Sequence, residues 1–244
     1  MNIAIVGYGK MGKEVERVAV ERGMKIARVF DIGDNPHGTG LTKESLKGVD
    51  VCIDFSSPEG AFENIEAVAA AGKSIVVGTT GWHDRIDEVR QLVKKAKIGL
   101  LYSSNFSLGV NIFMQIVMDA AHLFERYQQY DVAVWEAHHT GKADSPSGTA
   151  LSLASIVLKE FRRKNGILAE TSHGTIKPEQ LHVTSTRLGH TTGKHVVMFD
   201  SEADTIELVH TAKNRTGFAL GAIAAAEWLK DKKGIYTMRD ILLP

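Results

Sequence analysis

Asn2-Ile3-Ala4-Ile5-Val6-Gly7-Tyr8-Gly9-Lys10-Met11-Gly12 is the stretch whose reading decides the architecture. Ile3–Val6 is a short apolar run of strand type that stops at a glycine, and Gly12–Arg22 carries a helical pattern. A G-x-G-x-x-G at such a strand-to-helix junction has a physical reason for each glycine. Gly7 permits the tight turn, Gly9 lets the backbone approach a pyrophosphate, and Gly12 allows close packing of helix on strand. The helix start adds unpaired N–H groups and a positive dipole end. Asp31 ends the next strand-like run roughly 20 residues on, where a carboxylate accepts from ribose hydroxyls. The expectation is a dinucleotide site, against a tight turn that holds no ligand.

Outward from this motif, Ile26–Asp31, Val49–Phe55, Ser74–Gly78 and Gly99–Ser103 read as further strands, with helical stretches at Gly60–Ala71 and Asp84–Lys97. Short apolar strands alternating with helices predict a parallel sheet in a Rossmann-like α/β domain. After Asn105 the rhythm changes. Val110–Arg126 reads as a long helix, Tyr130–Trp135 as a strand and Gly148–Arg163 as a helix. Three strand-like runs then follow without helices between them: Leu181–Leu188, His195–Phe199 and Thr205–Thr211. They suggest an inserted α+β domain on a mostly antiparallel mixed sheet. A last Ala-rich helix, Gly217–Leu229, belongs with the first half. The expected division is 1–107 plus 216–244 for the dinucleotide domain and 108–215 for the inserted one.

Composition narrows the class. Hydrophobic residues are 43% and charged residues 24% of 244, and 29 basic side chains balance 29 acidic ones. No global field steers nucleic acid or an acidic membrane, so any anion site is built locally. The single cysteine, Cys52, lies in the apolar run Val49–Phe55 and reads as a core residue in a reducing compartment. The N-terminal run does not have the form of a signal segment, and no run approaches the ~18 apolar residues of a membrane span. The expected location is the cytoplasm, with no nucleic-acid or membrane partner.

Two further loops follow strands at the same sheet edge: Gly78-Thr79-Thr80-Gly81 and Ser103-Ser104-Asn105-Phe106. Open α/β sheets bind ligands at the carboxyl ends of their strands, so these loops either line the ribose and nicotinamide or are plain polar turns. Asp31 repels a 2′-phosphate and Ile32 offers no cation to hold one, whereas Lys10 in the glycine loop could reach a phosphate. The balance favours NADH, with NADPH tolerated.

The segment Glu136-Ala137-His138-His139-Thr140-Gly141-Lys142-Ala143-Asp144-Ser145-Pro146-Ser147-Gly148-Thr149 concentrates two histidines and a lysine ahead of a helix start. Hydride delivery to a polarised double bond must be matched by a proton, and histidine and lysine are suitable donors. The Ser147-Gly148-Thr149 turn presents N–H groups suited to a carboxylate. A metal site or a solvated, capped loop is the alternative. Neighbouring histidines diverge along a strand and no cysteine or close third ligand supports zinc.

This segment resembles the signature of the 4-hydroxy-tetrahydrodipicolinate reductase (dihydrodipicolinate reductase) family, E-[LIA]-H-H-x-x-K-x-D-A-P-S-G-T-A. The resemblance extends to the Gly7–Gly12 loop, Gly78–Gly81, Asn105-Phe106-Ser107 with Gly109-Val110-Asn111, Arg215 and Met238-Arg239-Asp240-Ile241-Leu242. Ser145 departs from the usual alanine. The resemblance implies His138 as proton donor/acceptor, Lys142 as proton donor, and His139, Gly148 and Thr149 as holders of a small dicarboxylate substrate. It implies that Gly7, Tyr8, Gly9, Lys10, Met11, Gly12, Asp31, Gly78, Thr79, Thr80, Ser103, Ser104, Asn105 and Phe106 hold NADH or NADPH. It further implies reduction of the substrate ring at C4 with loss of water, in lysine and diaminopimelate synthesis, by a homotetramer assembled through the second domain's sheet. Domain closure on ligand is expected. His182, His190, His195 and His210 receive no role. The competing readings are another dehydrogenase of similar layout, acting on aspartate or an amino-sugar, and a dinucleotide sensor without turnover.

Overall fold

The structure, a computed structural model, describes residues 1–169 and 171–242. Its elements are β1 (Asn2–Val6), α1 (Lys10–Glu21), β2 (Lys25–Phe30), β3 (Val51–Asp54), α2 (Pro58–Ala70), β4 (Ser74–Val77), α3 (Ile86–Ala96) and β5 (Gly99–Tyr102). There follow α4 (Leu108–Phe124), β6 (Asp131–His138), α5 (Gly148–Glu160), β7 (Gly166–Leu168), β8 (Gln180–Arg187), β9 (Lys194–Asp200) and β10 (Thr205–Thr211). The chain ends with α6 (Thr216–Leu229), β11 (Gly234–Thr237) and α7 (Met238–Leu242). It divides into two compact units, 1–111 with 215–244, and 112–214, so the outward division falls within α4.

In the first unit six strands form one sheet in the order β11-β5-β4-β3-β1-β2, every pairing parallel. A parallel sheet is covered on both faces, and the strand period of two supplies an apolar set to each. Ala4 and Val6 point into one core with Phe62, Ile65 and Val68 of α2 and Val89 and Val93 of α3. Ile3 and Ile5 point into the other, with Val15 and Val18 of α1 and the alanines of α6. Those alanines let α6 lie close: a Cβ on Gly221 would stand 1.7 Å from the Phe106 carbonyl oxygen. Cys52 is fully buried, and burial pushes its thiol up to about 12, as befits a core residue. The order reverses between β1 and β3, which leaves a crevice outside their carboxyl ends.

The sixth strand of this sheet is absent from the sequence reading. Gly234–Thr237 is short, and its partner β5 lies more than a hundred residues earlier, so only the closed sheet reveals it. Asp31 falls one residue beyond β2 rather than within it.

The second unit holds a sheet in the order β10-β9-β6-β8-β7. The sheet is mixed as expected, but evenly so. β10–β9 and β9–β6 are antiparallel, while β6–β8 and β8–β7 are parallel. The β6–β8 pair is parallel because α5 carries the chain from β6 over one face before β7 and β8 join the far side, as parallel neighbours require. Phe113, Val117 and Ala121 of α4 and Leu153, Ala154 and Val157 of α5 cover Val132, Val134, Val183, Val197 and Phe199. Among the described residues no helix is long and apolar enough to cross a membrane.

Candidate active site

In the first unit the glycine loop sits where the motif demands. Gly7 has φ +85°, a left-handed conformation that glycine adopts without strain, and a Cβ there would strike the Phe55 carbonyl oxygen at 2.4 Å. A Cβ on Gly12 would stand 2.1 Å from the Gly7 oxygen, whereas above Gly9 there is open space. The backbone N–H of Tyr8 donates to Asp31 Oδ1 at 3.2 Å, so the acidic residue is brought to the loop. Gly7, Tyr8, Gly9, Asp31 and Ile32 line a cleft of about 430 Å³ together with Asn35–His37, Phe55–Ser57, Glu59, Gly60 and Asn64. A loop open only at its middle glycine, beside a carboxylate and at a sheet crevice, fits a dinucleotide pyrophosphate and ribose.

The remaining predicted cofactor residues divide. Lys10 is exposed at the start of α1, while Met11 packs partly into the core under the loop. Tyr8 turns its hydroxyl to Glu16. Gly78–Thr80 and Ser103–Phe106 do not line this cleft. Thr79 is buried, and its hydroxyl donates to the buried carboxylate of Asp54 and accepts from Ser56 N–H at 2.8 Å. These bonds tie the loops after β3 and β4 to each other, and Asp54 also takes Asn64 Nδ2 of α2 at 2.9 Å. Phe106 is buried in the core with its edge toward Phe55. Buried bonding and packing thus use these two side chains, and it is the backbone of their loops that faces the sheet edge. Ser103 Oγ donates to the Asn105 carbonyl and accepts from Asn105 N–H, which fixes that turn, and Thr80 and Ser104 are exposed.

In the second unit β6 runs three residues further than the sequence suggests, to His138. Its period of two therefore carries the inward series Val132, Val134, Glu136, His138 from core to chemistry on one face. Glu136 is completely buried. Burial opposes its ionisation, but the Ser185 hydroxyl, His138 and Arg187 outweigh that and hold its carboxyl below the ordinary range. Glu136 Oε2 pairs with His138 Nδ1, and Oε1 accepts from Arg187 Nη1 and Nη2, both at 3.0 Å, and from Ser147 N–H at 3.2 Å. An ionised carboxylate only accepts, so Nδ1 of His138 carries a proton and Nε2 is left for exchange. A Cβ on Gly193 would lie 3.0 Å from that Nε2, so glycine keeps the space beside it clear.

Arg187 lies directly across from His138 in the parallel register of β6 and β8. Besides Glu136 it donates to the carbonyls of Asp144 at 2.6 Å and Lys142 at 3.3 Å, pinning the loop that carries the lysine. Lys142 Nζ is 2.7 Å from Asp144 Oδ1. Lys142 first, and then the N–H groups of Asp144 itself and Gly148, hold that carboxyl low despite its slight burial. Ser147 caps α5, its hydroxyl accepting from Ala150 N–H at 3.2 Å, and Gly148 and Thr149 form the first turn. His139 lies over the loop before it, with its ring 3.4 Å from where a Gly141 Cβ would be.

The structure thus brings His138, Lys142 and the start of α5 with its cap Ser147 together, and adds Glu136, Arg187 and His195, to which the sequence reading assigned no role of their own. The signal for Arg187 and His195 is pairing across strands, invisible without the register.

His195 is buried, with its ring 5.2 Å from that of His138. Burial, and next His138, push it from 6.5 to about 4, with Glu136 opposing and His210 and Lys142 assisting. The unfolded chain therefore takes up this proton near the ordinary pH, while the folded chain resists until about pH 4. Stability from this residue is complete above the ordinary value and declines as pH falls toward 4. We expect a loss on the order of 2–3 kcal/mol over that interval, and a flatter pH profile in His195→Gln, by urea unfolding. Equal slopes in both proteins would contradict the assignment.

Comparison with known proteins gives these geometries a family. Residues 1–106 match the family model "Dihydrodipicolinate reductase, N-terminus", and residues 109–242 match "Dihydrodipicolinate reductase, C-terminus". A 4-hydroxy-tetrahydrodipicolinate reductase of Christiangramia forsetii is 40% identical over 242 residues, covering 99% of this chain and 98% of that one. One of Archaeoglobus fulgidus is 39% identical over 265 residues, covering 99% and 100%. Among solved structures, the dipicolinate-bound dihydrodipicolinate reductase of Paenisporosarcina sp. TG-14 matches with a TM-score of 0.80 and 26% identity, covering 100% of this chain and 99% of that one. With both halves matched in order and the whole length covered, the chain belongs to the dihydrodipicolinate reductase family.

Proposed function

We propose that this chain uses a nicotinamide dinucleotide to reduce 4-hydroxy-tetrahydrodipicolinate to tetrahydrodipicolinate, with loss of water, in lysine and diaminopimelate synthesis. The observation that carries the reading is the joining of a paired Glu136–His138, a lysine ion-paired to Asp144 and a helix start within one pinned segment. When bound, the dinucleotide supplies hydride. His138, its Nδ1 fixed by Glu136, exchanges a proton at Nε2, and Lys142 Nζ donates the proton that balances charge at the reducing centre. His139 and the N–H groups of Gly148 and Thr149 hold the substrate carboxylates, where the α5 dipole favours negative charge. Gly7–Gly12 and Asp31 hold the cofactor, supported by the loops at Gly78–Thr80 and Ser103–Phe106.

For the cofactor the reading favours NADH. The cleft wall carries two carboxylates, Asp31 and Glu59, and neither lysine nor arginine is among the residues lining it. A 2′-phosphate there meets like charge. The chain assembles as a homotetramer through the sheet face opposite α5, where Trp135 and the half-exposed Val209 lie.

The test is dinucleotide oxidation, followed at the absorbance of the reduced nicotinamide, with freshly generated 4-hydroxy-tetrahydrodipicolinate and each cofactor in turn. Turnover with this substrate, and a lower KM for NADH than for NADPH, is the expected result. Turnover only with aspartate or an amino-sugar, or cofactor binding without turnover, would replace the reading with one of its competitors.

A further inference from the structure

Strand β9 contributes a feature that the proton-transfer and carboxylate roles above leave unused. His195 lies directly across from Glu136 in the antiparallel register of β6 and β9, and is only 5% exposed. Its Nε2 is 3.2 Å from Ser147 Oγ. That oxygen is the cap of α5, since it accepts from Ala150 N–H. Two residues earlier on the same face, Gly193 leaves room for the His138 ring, which meets the His195 ring in a T-shaped contact. One imidazole therefore touches both halves of the candidate site: the ring that exchanges protons and the hydroxyl that ends the anion-binding helix.

We infer that His195 is a positioning residue for substrate binding, holding the Ser147 cap, and with it the first turn of α5, in register with His138. Nε2 and Oγ can each donate or accept in this bond, and the neutral ring with its proton on Nδ1 is the form in which Nε2 accepts. The ring is neutral at ordinary pH because burial resists its charging, so Nε2 can accept. Ser147 then donates its hydroxyl proton to His195 and keeps its lone pairs for the Ala150 N–H, an arrangement in which each bond strengthens the other. With that acceptor gone, the buried hydroxyl must turn elsewhere for a partner. Its proton then turns to a nearby carbonyl oxygen, which draws Oγ away from the Ala150 N–H and loosens the first turn whose N–H groups face a carboxylate. The effect falls on affinity for a dicarboxylate and not on the dinucleotide, whose glycine loop belongs to the other unit.

The inference rests on the reductase reading, and the experiment separates the two. Wild type, His195→Phe, His195→Gln and Ser147→Ala are compared for kcat, for KM of substrate and dinucleotide, and for the Kd of dipicolinate by calorimetry. His195→Phe should weaken dipicolinate and raise the substrate KM by about tenfold, the worth of one buried hydrogen bond. Dinucleotide KM should stay at its wild-type value. Ser147→Ala should give a similar loss, and the double variant no more than either. His195→Gln, whose amide oxygen can accept from the hydroxyl, should recover most of the affinity, which general damage to the fold would not permit. Wild-type dipicolinate affinity in His195→Phe would overturn the inference, as would equal losses in Phe and Gln or a parallel loss of dinucleotide affinity. If wild type itself neither turns over the substrate nor binds dipicolinate, the reductase reading fails and the inference falls with it.

Discussion

Replacing Lys142 by alanine should lower kcat by roughly 10²–10⁴ while leaving the dinucleotide dissociation constant within about twofold of wild type, the range for loss of a positioned proton donor. The size follows from what the side chain has to do. Hydride transfer builds negative charge on the substrate, and a cation that is also a proton donor answers both the charge and the missing proton. Lys142 is suited to this by its surroundings: its Nζ is held at 2.7 Å by Asp144, while its backbone carbonyl is tied to Arg187. The side chain is exposed enough to reach a ligand, at 24%. Calorimetric titration of dinucleotide against both proteins, beside steady-state kinetics, reads the two quantities separately. A large loss of cofactor affinity with little change in kcat would make the lysine a structural element.

The second large effect is on stability. Arg187→Ala should destabilise the protein by about 3–5 kcal/mol, because a buried carboxylate then loses its counter-charge. Glu136 is fully buried and the Arg187 side chain is 20% exposed, with Nη1 and Nη2 on the carboxylate, Nη2 also on the Asp144 carbonyl and Nε on the Lys142 carbonyl. Deleting the cation thus costs more than the pair contributes. The double variant Arg187→Ala with Glu136→Gln should recover much of the loss, since the uncompensated charge is gone. Urea unfolding of the two single variants and the double variant measures this directly. Additive losses would mean that the two side chains act independently, against the geometry. Activity should fail in all three, because the Lys142 loop and the His138 tautomer depend on the pair.

How much of this was legible in the sequence varies with the range of the interactions. The glycine loop was fully legible, because each glycine answers a local demand: φ +85° at Gly7 and a 2.1 Å approach at Gly12. The three helical crossovers among the first five strands were legible for the same reason, since strand, turn and helix are neighbours in the chain. The strand β11 was not, because its edge position comes only from pairing with β5. The catalytic segment was legible as a block of chemistry, but its internal order was not. Glu136 opens that block in the sequence without a role of its own until the period from Val132 puts it under His138. Arg187 and His195 come from strands about 50 residues away, and only register places one across from His138 and the other across from Glu136. For Thr79 and Phe106 it is burial that the sequence does not show. Both sit in loops at the correct sheet edge, yet burial commits one to Asp54 and the other to the core.

The most direct test of the central claim is the fate of the hydride. With nicotinamide dinucleotide deuterated at the transferable C4 position and freshly generated 4-hydroxy-tetrahydrodipicolinate, the tetrahydrodipicolinate formed should carry one deuterium at ring C4 by mass spectrometry. Product without deuterium, deuterium at another carbon, or cofactor oxidised with no tetrahydrodipicolinate formed would contradict the account.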